Sequence, residues 1–138
     1  MAIGWLGWTL TIVAALGLFA WQAQRDWRAT AAEIAKTRPN LDEAQFIAAL
    51  AGYATPEAAR WLREELDVFF DPLTPHPDDQ LLAPDFCDPD DITDLINSFI
   101  RQHALDPAKV AEVHAAPDGT LSVRQLAGAL QAMLATKT

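Results

Sequence analysis

The sequence predicts an all-α protein in which an N-terminal transmembrane helix precedes a small, acidic helical domain. Three observations lead there. Residues 2–21, AIGWLGWTLTIVAALGLFAW, form an uncharged run of twenty. Residues 39–138 carry 17 acidic against 6 basic side chains, a net of −11. From residue 40 onward, apolar residues recur at helical spacing, and no stretch shows the alternation of a half-buried strand.

At ~1.5 Å per residue the uncharged run reaches about 30 Å, enough to cross a hydrocarbon core. Trp5 and Trp8 lie near one end and Trp21 and Trp27 near the other, where indole rings settle at membrane interfaces. Thr9 and Thr11 can bond back to helix carbonyls. A cleaved signal peptide would need a basic segment ahead of the apolar core, and none exists; Trp21 also occupies the place where a small residue is wanted before Ala23. A buried core helix would rarely be apolar on every face. Residues 1–24 therefore read as a membrane anchor. No basic residue precedes the span, whereas Arg25, Arg28, Lys36 and Arg38 follow it. The positive-inside rule then places the N-terminus outside and the remaining chain in the cytoplasm, at the inner membrane. Residues 25–39 form a juxtamembrane helix or linker, rich in helix formers, that stops near Pro39. Its basic residues can also touch anionic lipid head groups.

Residues 40–138 read as the cytoplasmic domain. In NLDEAQFIAALAGY, Asn40 is the expected N-cap with Glu43 three residues on, Phe46, Ile47 and Leu50 form an apolar stripe, and Gly52 closes the helix. In TPEAARWLREELDVFF, Thr55 caps, Pro56 stands at the first helical position, and Trp61, Leu62, Leu66, Phe69 and Phe70 face inward. The stretch 64–94 then holds eleven Asp or Glu, five prolines and no Lys or Arg. The prolines forbid one continuous helix. Leu73, Leu81, Leu82 and Phe86 are nonetheless too apolar for a free tether, so an ordered loop is expected that lays them on a core and turns its carboxylates to water. Ile92, Leu95, Ile96, Phe99 and Ile100 share one helical face, Asp106 and Pro107 open a short helix, and Ser122 with Gln125 opens a last one burying Val123, Leu126, Leu130 and Leu134.

From residue 56 the order is long helix, long loop, helix, short helix, final helix. That order, with LTPHPDDQLL in the loop and LSVRQLAGAL at the last helix, resembles the acyl carrier protein family, the phosphopantetheine-binding four-helix domain, over roughly residues 56–135. The resemblance implies a four-helix domain with one extra helix before it. In that family the second helix opens with Asp-Ser-Leu, whose serine bears the arm. In the same register this chain reads Asp90-Asp91-Ile92, with Asp91 at the serine position. A carboxylate offers no acceptor hydroxyl, and the nearby Thr93 and Ser98 do not match the position. What the resemblance leaves is the fold and an acidic docking surface along the second helix, with no cofactor.

Composition excludes a nucleic-acid ligand, since phosphate neutralisation needs Lys and Arg. A single cysteine, Cys87, excludes an intrachain disulfide, and the carboxylates around it disfavour a reactive thiolate. Asp85, Asp88, Asp90, Asp91 and Asp94 invite a hard-cation site, but Asp residues at the start of a helix also cap its amides and complement its dipole. In HAAPDGTLSVRQL, setting Gly119 as the turn glycine of a calcium loop puts His114, Ala116 and Gln125 at ligand positions that they do not suit. His76, His103 and His114 lack metal-ligand spacing, and there is neither a Gly-rich phosphate loop nor a nucleophile elbow. The expectation is a non-catalytic interaction module, held to a membrane by residues 2–21, that docks a basic protein surface through Asp78, Asp79, Asp85, Asp88, Asp90, Asp91 and Asp94. The alternatives are a functional acyl or peptidyl carrier modified at another hydroxyl such as Ser98, and a structural subunit of a membrane complex whose Trp-rich span pairs with other helices.

Overall fold

The computed structural model describes residues 2–82, 86–113 and 119–136. Every regular element among them is helical: α1 Ala2–Thr37, α2 Glu43–Ala49, α3 Pro56–Phe70, α4 Pro89–Gln102, a 3₁₀ helix Pro107–Glu112, and α5 Val123–Ala135. The chain divides into two units, Met1–Pro39 and Asn40–Thr138.

The first unit is α1, 36 residues and so about 54 Å of uninterrupted helix. It is long and apolar enough to cross a membrane. Along the uncharged run the described large side chains are exposed, Trp5 by 81% and Phe19 by 76%. The two threonines of that run lose no polar valence: Thr9 Oγ1 donates to the Trp5 and Leu6 carbonyls (3.1 and 3.0 Å), and Thr11 Oγ1 to the Gly7 carbonyl (2.8 Å). The apolar run and the charged stretch that follows it are one helix, which ends at Thr37 because Pro39 disfavours helical geometry in the residue before it.

In the second unit α2 packs on α3, α3 on α5, and α4 on the 3₁₀ helix. The core is made by Phe46, Leu62, Leu66, Phe70, Phe99 and Leu126, all fully buried, among others. Trp61 joins α3 to α4: its ring meets Phe99 edge-on at 4.9 Å and its Nε1–H donates to Gln102 Oε1 at 2.8 Å.

Three local expectations change. The cap of α2 is Asp42 rather than Asn40: the Gln45 amide donates to Asp42 Oδ1 (2.8 Å) and the Asp42 amide to Gln45 Oε1 (3.0 Å). This reciprocal pair satisfies two amide donors at once, and it releases Glu43 to accept from Arg60 Nε at 2.7 Å. Gly52 does not close α2; Leu50 stands at its C-cap, and Gly52 lies in the turn that follows. In α5 the residue that completes the apolar stripe is Met133, 1% exposed, while Leu134 is half-buried, since a helical face returns three and seven residues after Leu130 and Leu126. The caps expected at Thr55, Asp106 and Ser122 are all present, the last as a full capping box with Gln125.

Between α3 and α4 the described residues are ordered by their apolar side chains. Leu73, Pro75, Leu81 and Cys87 are buried, and Phe86 stacks on Phe70 at 4.3 Å. The backbone of this segment also serves α5, whose first amides have no intrahelical partner. Val123 N–H donates to the Asp79 carbonyl (3.0 Å), Arg124 N–H to the Pro77 carbonyl (2.9 Å), and Leu81 N–H to the Leu121 carbonyl (2.8 Å). At its other end α4 closes with Ala104 in the left-handed region (φ 51°), Leu105 N–H donating to the Ile100 carbonyl and Ala104 N–H to that of Arg101. This is the Schellman arrangement, and Leu105 seals it by burial.

Candidate functional site

Helix α4 starts earlier than its apolar run requires. Asp88 is the N-cap, Pro89 the first helical residue and Asp91 the third, so Asp90, Asp91 and Asp94 occupy the first two turns. The Asp91 amide donates to Asp88 Oδ1 at 2.9 Å, and the Asp88 amide donates to Asp91 Oδ2 at 3.1 Å. Each carboxylate keeps further lone pairs free and complements the positive helix end. Asp88, Asp90 and Asp94 are exposed and Asp91 is half-buried.

Beside them, α3 and α4 leave a hollow of about 190 Å³. Its floor is Phe69 and Leu95, and its walls are Glu65, Asp91, Asp94 and Ser98. None of these carboxylates is ion-paired among the described residues. The described cations of this unit are engaged or placed elsewhere: Arg60 with Glu43, Arg63 with the Leu41 carbonyl, Arg124 with Asp78, Lys109 with Thr136, and Arg101 exposed in the last turn of α4. Val68, three residues on from Glu65, is 81% exposed.

The structure sorts the seven candidate carboxylates into groups. Asp88, Asp90, Asp91 and Asp94 come together at the start of α4. Asp78 is exposed but belongs to α5, where its Oδ1 accepts from Arg124 Nη2 at 3.0 Å and Nε at 3.3 Å. Asp79 is a correction: it is buried, and its Oδ2 accepts from the His76 amide at 2.9 Å, so it orders the loop and presents no charge to a partner. Asp85 lies outside the described residues, as does His114. Glu65 was not among the expected residues. Its only trace in the sequence is its place four residues before Phe69 on the same face of α3, which says nothing of α4 lying alongside.

Cys87 is buried directly before the α4 cap. Burial pushes its thiol up to about 12, and the Asp91 and Asp88 carboxylates push in the same direction. It is therefore a packing residue held as neutral thiol. Among the described residues no three His, Cys, Asp or Glu side chains converge as ligands for an ion. His103 lies against Phe99, ring centres 4.3 Å apart, at the edge of the core. A larger hollow of about 470 Å³ beside Tyr53 and Gln131 carries no carboxylate. Compared with protein-family models, with curated proteins and with solved structures, the chain matches none.

Proposed function

We propose that this protein is a membrane-tethered, non-catalytic interaction module that captures a basic surface of a partner protein in the groove between α3 and α4. The supporting observation is the pairing of an apolar floor, Phe69 and Leu95, with the walls Glu65, Asp91 and Asp94 and, among the described residues, no opposing cation. Carboxylates aligned over one face attract a basic partner at long range and raise the encounter rate. The floor and the exposed Val68 supply apolar contact, from which most affinity comes. Anchored by α1, with the N-terminus outside and the acidic domain at the cytoplasmic face of the inner membrane, the module confines that encounter to the membrane surface.

The acyl-carrier-like helix order supports the same reading, because that resemblance leaves a docking helix without its prosthetic arm. Counted from the start of α4, the residue after the capping aspartate is Pro89, and in the register of the resemblance it is Asp91; neither has a hydroxyl. Ser98 has one, but it shares its hollow with Glu65, Asp91 and Asp94, where a phosphodiester would meet like charge.

The decisive variant neutralises charge without disturbing the cap: E65Q/D90N/D94N. Partner captured by crosslinking from native membranes should associate on the order of tenfold more slowly with this variant at low salt, and its rate should lose most of its dependence on ionic strength. Equal rates and equal salt dependence for the two proteins would refute docking at this groove.

A further inference from the structure

The first cations after the uncharged run are Arg25 and Arg28, both on α1. Side chains three and four apart share a helix face, so Trp21, Gln24, Arg25 and Arg28 form one stripe. Together they line a hollow of about 180 Å³. The Arg25 guanidinium carbon lies over the Trp21 ring, 5.5 Å from its centre. An indole at the end of a membrane span settles at the head-group level. The stacked guanidinium is thereby held at the same depth, with part of its conformational freedom already lost.

Among the described residues these two charges have no counter-ion of their own. The positions three and four away from Arg25 are Trp21, Gln22, Arg28 and Ala29; those around Arg28 are Gln24, Arg25, Ala31 and Ala32. Asp26 is one residue from Arg25 and two from Arg28, offsets that do not face either side chain. Among the described residues neither arginine is in an ion pair, whereas Lys36 on the same helix is held by Glu33 at 2.8 Å. Two cations one turn apart repel each other, and an anion between them turns that repulsion into attraction. Guanidinium forks match the paired oxygens of a phosphate ester, and the Gln24 amide adds a donor.

We propose that Trp21, Gln24, Arg25 and Arg28 form a binding site for a phosphate-ester anion, filled by the phosphodiester of an anionic membrane lipid. A zwitterionic lipid brings its own ammonium to the same place and gains less, so the site selects for net negative head groups. The proposal rests on α1 spanning the membrane and is independent of the α3–α4 groove.

The test places the full chain in nanodiscs of equimolar phosphatidylglycerol and phosphatidylcholine and counts retained lipid by native mass spectrometry. Wild type should retain phosphatidylglycerol preferentially, and R25Q/R28Q should lose on the order of tenfold or more of that enrichment, whereas K36Q should keep it. R25K/R28K, which preserves the charges that orient the span, should lose part of the enrichment because Lys lacks the planar fork. Equal retention of the two lipids by wild type, or equal enrichment in wild type and R25Q/R28Q, overturns the proposal. A further arm adds millimolar inorganic phosphate to the protein in detergent supplemented with phosphatidylglycerol. Tight phosphate binding that excludes phosphatidylglycerol would overturn the lipid as the source, and lipid retention undiminished by phosphate supports it. Failure here leaves the docking reading untouched, since that is read in E65Q/D90N/D94N.

Discussion

Ala104 and Cys87 show how single side chains are constrained by a fold around them. Ala104 adopts φ 51° at the end of α4, where a Cβ crowds the backbone and glycine is free of that cost. Ala104→Gly should therefore stabilise the protein by about 1 kcal/mol, read as a higher midpoint in thermal unfolding of the full chain in micelles. Cys87 is buried with its thiol pushed up to about 12. Alkylation at pH 8 should label it only on the timescale of unfolding, where an exposed thiol would react at once. The sign of the pH effect follows from proton binding. Below the ordinary thiol range both states hold the proton, so the stability gained from keeping Cys87 neutral is fully present. Above about pH 9 the unfolded thiol ionises while the native one does not, so stability falls as pH rises towards 12.

At the scale of elements, the caps govern where helices begin. Asp88 and Asp91 cap α4 reciprocally, and the hollow wall at Asp91 depends on that register. Asp88→Ala should cost about 1 kcal/mol, while Asp88→Asn, an equally good cap, should cost almost nothing; chemical denaturation of the two variants separates a capping role from a charge effect. Much at this scale was legible in the sequence, because caps and apolar stripes involve residues within a turn or two of each other. Thr55, Asp106 and Ser122 were placed correctly, and all five apolar residues expected on α4 are buried. The shift from Asn40 to Asp42 is the instructive miss. Both residues are good caps, and the choice fell to Gln45 reaching back and to Glu43 meeting Arg60 on α3.

For the whole molecule, a helix whose first two-thirds are uncharged is joined to an acidic domain whose described cations are engaged or set away from the α3–α4 groove. If α1 anchors the chain, full-length protein should stay with the membrane through alkaline carbonate extraction, and a form lacking residues 2–21 should move to the soluble fraction. A truncated form that still pellets with extracted membranes would refute α1 as the anchor. By itself the sequence determined the helical class, the long apolar N-terminal helix, the order of elements and the excess of carboxylates, since each depends on local spacing or composition. Only the tertiary structure decided what each carboxylate does. Neighbours in sequence part company: Asp78 turns to Arg124 and Asp79 goes inside, while Glu65, from another helix, joins Asp91 and Asp94 around one hollow. The physical reason is that a charge is assigned its role by whichever surfaces fold against it, and those surfaces come from segments far away along the chain.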